Sequence, residues 1–355
     1  MKTPLSDLAP VLRKLYPYVV TKQTKVLVTG ATGFLGTRLV KRLAAEGYPV
    51  RALARKLSNV GALKKLGVEI VFGDMGDESS IAAAMKGVDV VVHAAAGTSG
   101  TEKDSDTGTI QGTRNVLQAC RTSRVKKLVY ISSCNVYEVA GYIENQVVTE
   151  EAQLERLPLL RGHYSAAKLL AESLVTEAMN HEGYPIVVLR PGTLYGLGAE
   201  VYTRMMGVSF AGRIFVVFGD GESELPLVHV DNAVDAIVEC ISNSAADNQV
   251  FNVVDHDPVT KRMYMERVVK PLCPKATVIY CPMSLLLTLT WIQEKLIAIF
   301  GKRPSLTVYR LVSSQKRVRY SASKIQTAIG WRSRVRFEQG AEQLIGGQGR
   351  AGNTD

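Results

Sequence analysis

Residues 25–36 read KVLVTGATGFLG. Lys25 to Thr29 form a short apolar run, glycines follow at 30, 33 and 36, and Leu35, Leu39 and Leu43 then recur at helical spacing until Gly47. The order is strand, turn, helix. In such a turn the three glycines permit a tight reversal, close backbone approach to a pyrophosphate, and close packing of the helix on the strand. The phosphate sits at the helix N-terminus, where unpaired N–H groups and the helix dipole favour an anion. A glycine-rich turn that binds nothing has the same spacing, but this one opens a long series of alternating strands and helices.

The series continues outward with YPVRALAR at 48–55, VEIVFGD at 68–74, VDVVVHAAA at 88–96, KKLVYISS at 126–133 and YPIVVLRPG at 184–192. Runs of this kind, apolar on both faces and separated by helical stretches, predict an α/β fold with a doubly wound parallel sheet of Rossmann type. The rhythm weakens after Pro191. Residues 228–241 then read as a strand end leading into a helix, and 249–255 as another buried strand. The expected division is a dinucleotide-binding domain of 22–194 plus 226–256 and a smaller, mostly helical substrate lobe of 195–225 plus 257–345. Residues 1–21 would be an extension and 346–355 a tail.

Composition agrees with a globular chain: 355 residues, 46% hydrophobic and 21% charged, which excludes disorder, collagen and coiled coil. The five cysteines, Cys120, Cys134, Cys240, Cys273 and Cys281, are odd in number and lack zinc spacing, so neither a disulfide framework nor a metal site is expected. The first 20 residues carry Asp7 and several prolines where a signal peptide needs an unbroken apolar core. No run of 18 apolar residues occurs. The expected location is cytoplasmic.

The formal charge of +10 suggests nucleic acid until it is located. Between Lys302 and Arg336 lie ten Lys or Arg and no acid, which leaves 33 residues of each sign elsewhere. No nucleic-acid partner is expected, and an anionic partner would meet the C-terminal end.

The end of the second strand distinguishes the dinucleotides. An acid there holds the ribose 2′-hydroxyl of NAD, whereas arginine pairs with the 2′-phosphate of NADP. Here Ala54 stands where the carboxylate is expected and Arg55 and Lys56 follow, with Arg51 also near, so NADP is favoured and NAD remains open. Asp74, beside Met75 at the end of the third strand, is placed to accept from an adenine amino group.

The ordered set TGATGFLG at 29–36, GDMGD at 73–77, VVHAAA at 91–96, Ser132 to Tyr137, Tyr164-Ser165-Ala166-Ala167-Lys168 and RPGTLYG at 190–196 resembles the extended short-chain dehydrogenase/reductase superfamily. The resemblance runs from about residue 24 to 345. It is strongest to the 3β-hydroxysteroid dehydrogenase-like branch and to general NAD(P)-dependent epimerase/dehydratase proteins. It implies cofactor contacts from Gly30, Thr32, Gly33, Phe34, Leu35 and Gly36, then from Ala94, Ala95 and Ala96, and near the nicotinamide from Pro191, Gly192 and Thr193.

The chemistry has a physical basis independent of the resemblance. Hydride leaves a secondary alcohol carbon only if the hydroxyl proton also leaves, and a tyrosine with an ordinary pKa of about 10 is too weak a base unless a cation stabilises its phenolate. Lys168 lies four residues after Tyr164 on one helix face, where it can serve both the phenol and the nicotinamide ribose. Ser133 matches the family position that holds the substrate oxygen, with Ser132 as its rival. His93 reads as a satisfied buried imidazole rather than a catalytic one and His163 as a solvated helix start. The family often has Asn three residues before the next Gly-Thr; here it is Thr109, which puts any relay through that amide in doubt.

Sugar-nucleotide enzymes of the superfamily carry an Arg-Asp pair before the His-Val-Asp segment and a glycine after the strand-five Val-Tyr. This chain has Leu225 and Pro226, and Glu138. An apolar, sterol-like substrate oxidised or reduced at a secondary alcohol or ketone is therefore expected. The rivals are a nucleotide-sugar epimerase or dehydratase that retains NAD(P), and a protein that binds NADP without turnover. Residues 283–300, MSLLLTLTWIQEKLIAIF, form an apolar helix broken by Gln293, Glu294 and Lys295, just before the basic stretch. Two uses stand open: peripheral membrane contact through 283–336, or a core or homodimer helix with a solvated basic face.

Overall fold

A computed structural model describes residues 20–97, 101–203, 205–300, 304 and 306–351. Most of the N-terminal extension, Lys302, Arg303 and the last four residues of the tail fall outside them.

Seven parallel strands form the main sheet: β1 Val26–Thr29, β2 Val50–Ala54, β3 Glu69–Phe72, β4 Val90–His93, β5 Lys127–Ile131, β6 Ile186–Pro191 and β7 Val250–Val253. Their spatial order is β7-β6-β5-β4-β1-β2-β3, with Val28 level with Ala52 on one side and Val92 on the other. Both faces are covered, which explains the unbroken apolar runs. Val26 and Val28 of β1 pack on the side of helices α1 (Phe34–Ala45) and α4 (Val230–Ser242), through Leu39, Val40, Leu43 and Val234. Leu27 packs on the opposite side, with Val116 of α2 (Gly112–Thr122) and Val175 of α3 (His163–His181). The chain reverses direction across the sheet between β1 and β4, and ligands of such folds bind in the crevice at the strands' carboxyl ends there.

A second, three-stranded sheet joins Gly207–Phe210, Ile214–Phe218 and Thr277–Cys281. Its core brings Phe215 and Val217 against Met265, Val268 and Phe337. The helices that follow include α5 Met283–Ile299, α6 Val308–Gln315 and α7 Phe337–Ala351. Between the last two, Val318–Tyr320 pairs in parallel with Gln146–Val148, and Val318, Ile325 and Trp331 return to the first core.

The structure narrows the two uses of the apolar helix. In α5 only Thr290 is fully buried, while Leu285, Leu289, Trp291 and Leu296 are 50–55% exposed. Such a helix is not a core element. No helix among the described residues is long and apolar enough to cross a membrane.

The basic stretch is also not a free cationic face. Arg317 pairs with Asp220, Arg319 with Glu224 at 2.7 Å, and Arg336 with Asp257 at 2.5 Å; Arg334 lies 3.8 Å from Asp235. Four cations of a run that is unopposed in sequence thus meet acids in space, which partly neutralises the expected meeting place for an anionic partner.

Candidate active site

The first turn after β1 has the geometry a dinucleotide phosphate needs. Gly30 has φ +68°, and a Cβ there would lie 2.8 Å from the backbone of Ala94 and Ala95 at the end of β4. At Gly36 a Cβ would lie 2.1 Å from the Gly30 carbonyl, so α1 can rest on the turn only without a side chain. Gly33 is the N-cap of α1 and makes no side-chain cap, and no acid stands in the first turn. The Gly33 N–H turns back to the Gly30 carbonyl at 3.0 Å, and the helix begins with no side-chain cap and an unopposed positive dipole end at Phe34 and Leu35, beside a half-buried Thr32.

Arg55 and Lys56 are exposed just beyond β2. Arg51 is not available with them, a correction to the sequence reading. Its guanidinium is buried, donates to the carbonyls of Ala84 and Lys86 at 2.7 Å each, and pairs with Glu69 at 2.8 Å. Asp74 is exposed and accepts from the Gly76 N–H at 2.9 Å, while the Met75 carbonyl accepts from Asn115 at 2.7 Å. Ala94, Ala95 and Ala96 line the exit of β4, half-buried.

At the exit of β5 the two candidate serines part. Ser132 donates its hydroxyl to the buried Glu172 carboxylate, whereas Ser133 projects to the next turn and accepts from the Asn135 N–H at 3.1 Å. Lys168 is buried and its ammonium donates to the Ile131 carbonyl at 2.8 Å, which brings it to the strand end that carries Ser133. Tyr164 lies one turn earlier on α3, half-buried. Burial pushes its phenol above the usual range and pushes Lys168 down to about 8, opposed by the negative charge of Glu172. Pro191 is buried at the end of β6. Gly192 and Thr193 follow it, their N–H groups donating to Val253 at 3.0 Å and to Pro226 at 2.6 Å.

His93 is fully committed. Thr29 Oγ1 accepts from the Ala95 N–H and so donates to His93 Nδ1 at 2.8 Å, while Nε2 meets Thr113 Oγ1 at 3.1 Å, which in turn donates to the Thr109 carbonyl. Burial, with the Lys168 charge nearby, lowers its pKa to about 3. A neutral imidazole protonated at Nε2 satisfies every bond in the chain. Thr109 sits in a π-helical turn, Asp106–Gln111, and its hydroxyl accepts from the Gly97 N–H at 2.8 Å. His163 is the exposed first residue of α3.

Residues 26–253 match the profile of the NAD dependent epimerase/dehydratase family. The chain belongs to that family. It is an NAD(P)-dependent enzyme of the extended short-chain dehydrogenase/reductase type, and the uncapped start of α1 over three side-chain-free positions suits such a cofactor. It is 30% identical to the short-chain dehydrogenase/reductase family 42E member 1 of Bos taurus, over 86% of each chain. To the decarboxylating sterol-4-alpha-carboxylate 3-dehydrogenase of Dictyostelium discoideum it is 27% identical, over 90% of this chain and 99% of the relative. Among solved structures, the UDP-glucose 4-epimerase of Thermotoga maritima with UDP-glucose superposes with TM-score 0.70 at 21% identity, covering 92% of this chain and 99% of that one.

Reading the sequence of this enzyme missed Glu172, Arg190 and Asn115. Glu172 shares the face of Tyr164 and Lys168 at the next helical turn, and that spacing was the available signal. Arg190 sits in the middle of a motif read for its proline and glycine. Asn115 lies in a helix with nothing in the sequence to mark it.

Proposed function

We propose that this enzyme transfers hydride between NADP(H) and a secondary alcohol or ketone carried by an apolar, sterol-like molecule. The chemical part of the reading rests above all on the exit of β5, where Ser132 is turned inward to Glu172 and Ser133 is left beside the Tyr164 and Lys168 helix. A bound nicotinamide would supply or accept the hydride. Tyr164 delivers a proton to the carbonyl oxygen in reduction and removes it from the alcohol in oxidation. Ser133 holds that oxygen, and the Lys168 ammonium stabilises the phenolate. With its phenol raised by burial, Tyr164 is protonated at neutral pH, so ketone reduction proceeds there and alcohol oxidation accelerates as pH rises.

Arg55, exposed directly after Ala54, supports a preference for the 2′-phosphate, with Lys56 as its neighbour. The apolar substrate is supported by buried Leu225 in the place of a diphosphate-gripping arginine. A cavity of about 460 Å³ adds an apolar wall from Phe218, Pro282, Met283, Leu287 and Val312, faced by the charged side chains of Glu144, Asp220, Lys316 and Arg317. The likeness to a sterol carboxylate dehydrogenase points the same way.

Met283 and Leu287 belong to α5, so one face of this helix walls the cavity while its other face is uncovered. That arrangement supports peripheral contact with a lipid surface from which an apolar substrate enters. Absorbance of reduced nicotinamide, followed with a panel of 3β-hydroxysterols, 3-ketosterols and UDP-sugars, tests the reading. Net formation or loss of reduced cofactor with a sterol supports it. Interconversion of UDP-sugars with none released overturns it in favour of a retained-cofactor epimerase, and tight NADP binding without turnover of any of them overturns it in favour of a binding protein.

A further inference from the structure

Glu172 is completely buried, one turn beyond Lys168 on α3, and its carboxylate is held by two side chains, Ser132 and Arg190. Ser132 donates its hydroxyl to Oε2. Arg190 Nε donates at 3.0 Å to Oε1 and 3.2 Å to Oε2, and Nη2 reaches Oε1 at 2.5 Å. Arg190 Nη1 continues to Tyr137 Oη at 2.7 Å, and Tyr137 donates to Asn252 Oδ1 at 2.5 Å. The carboxylate thus ties α3 to the ends of β5 and β6, and through Tyr137 to β7. One turn earlier, Lys168 donates to Ile131, the residue directly before Ser132. Two consecutive residues at the exit of β5, Ile131 and Ser132, are therefore held by two groups of α3, and the third in line is Ser133.

The charges around the pair are few. Lys168 lies four residues after Tyr164 on its own helix, and around it are the Tyr130 ring 5.5 Å away on β5, neutral His93 on β4, and Glu172. Glu172 faces Arg190 on β6, with Tyr130, Cys134 and Tyr137 near and Glu150 beyond, where Glu150 accepts from the Asn252 N–H at 2.7 Å. A buried amine sheds its proton unless an anion is close. Among the described residues Glu172 is the acid that acts on Lys168.

We propose that Glu172 is the positioning residue of this site: it sets the strand end from which Ser133 projects and, by its charge, keeps the Lys168 ammonium in place beside Tyr164. The proposal rests on the hydride-transfer reading above. A brace that acts only by shape needs hydrogen bonds, which an amide in the same place largely retains. Electrostatic positioning needs the negative charge itself.

The test uses the full chain with ¹⁵N-labelled lysine, the Lys168 ammonium being assigned by its loss in Lys168→Met and its titration followed by NMR. The unaltered protein should titrate near pH 8. In Glu172→Gln the midpoint should fall by about one pH unit, and the alkaline limb of ketone reduction should move down with it, a tenfold loss of rate above the new midpoint. Arg190→Gln leaves the carboxylate uncompensated and should move both the midpoint and the limb upward. Two unshifted midpoints, or downward shifts in both variants, overturn the proposal in favour of a structural brace. If Glu172→Gln does not fold, the sign in Arg190→Gln decides alone, upward in support and unchanged or downward against. The titration needs neither cofactor nor substrate, so failure of the hydride-transfer reading is seen separately, as absent turnover in the unaltered protein while the midpoints still move.

Discussion

The exit of β5 and the segment from α5 to Arg336 both carry groups that stand out in the sequence, and they resolve in opposite ways. At the β5 exit each polar side chain has a buried partner within a short span of space: Ser132 with Glu172, Glu172 with Arg190, Lys168 with Ile131. In the C-terminal segment the charges spread out and pair at the surface with Asp220, Glu224 and Asp257, while the apolar face of α5 stays uncovered. The contrast teaches that polar groups carried on neighbouring buried elements pack into one cluster, whereas a run of like charge need not. Its meaning depends on which acids the rest of the chain brings to it.

The largest effect that could break this comparison is at Tyr164. Tyr164→Phe should lower kcat by about 10²- to 10⁴-fold while the affinity for NADPH, measured by fluorescence titration, stays nearly unchanged. Lys168→Ala should damage both. Retention of most of the activity by Tyr164→Phe would remove the tyrosine from the chemistry and with it the functional meaning of the β5 cluster.

Glycines sharpen the comparison next. Gly36→Ala places a Cβ 2.1 Å from the Gly30 carbonyl and should cost about 1–3 kcal/mol in thermal or chemical denaturation, with NADPH binding weakened as α1 shifts. Gly346→Ala, in α7 with nothing within 4 Å, should instead be neutral or stabilising by about 0.5–1 kcal/mol. Equal destabilisation by the two would contradict the account of the turn.

For the cofactor, Arg55→Asp should weaken NADP by a charge-assisted contact of about 1.5–3 kcal/mol, roughly ten- to a hundredfold, and leave NAD unchanged or improved. Arg51→Gln should instead lower stability, since it removes the buried guanidinium's hydrogen bonds to the Ala84 and Lys86 carbonyls and its pair with the exposed Glu69, and should not change the ratio of NADP to NAD affinity. Equal affinity of the unaltered protein for both dinucleotides would end the assignment to Arg55.

The smallest effects belong to the C-terminal pairs. Arg317→Gln and Arg319→Gln remove surface ion pairs and should each cost no more than about 1 kcal/mol. If α5 meets lipid chiefly through its apolar face, sedimentation with anionic vesicles should depend only weakly on salt and should survive these two changes. It should be lost in Trp291→Ser with Leu296→Ser. Steep loss with salt would show that the cations dominate after all.

Much of the fold was legible because parallel strands covered on both faces must be apolar at most positions, and the VLV of KVLVT, the VVV of VDVVVH and the IVVL of YPIVVLR are written that way. The turn after β1 was legible for a related reason: its three glycines are local backbone requirements. The choice between Ser132 and Ser133 was not. Adjacent residues at a strand exit point to different sides, and which side holds Glu172 depends on how α3 docks. The same holds for Arg51, which reads as a cation near a phosphate site and proves to be locked beneath the sheet by Ala84, Lys86 and Glu69.

By itself the sequence determined the strand order's raw material, the glycine turn and the Tyr164 and Lys168 spacing, because each is set by neighbours within one or two helical turns. Only the tertiary structure decided that Glu172 and Arg190 close over Ser132, that His93 is neutral, that Arg317, Arg319, Arg334 and Arg336 of the basic stretch meet acids, and that one face of α5 is left open. Each of these depends on groups that are distant in sequence, often on separate elements, and meet only when the sheet and its helices pack, so no local pattern in the chain encodes it.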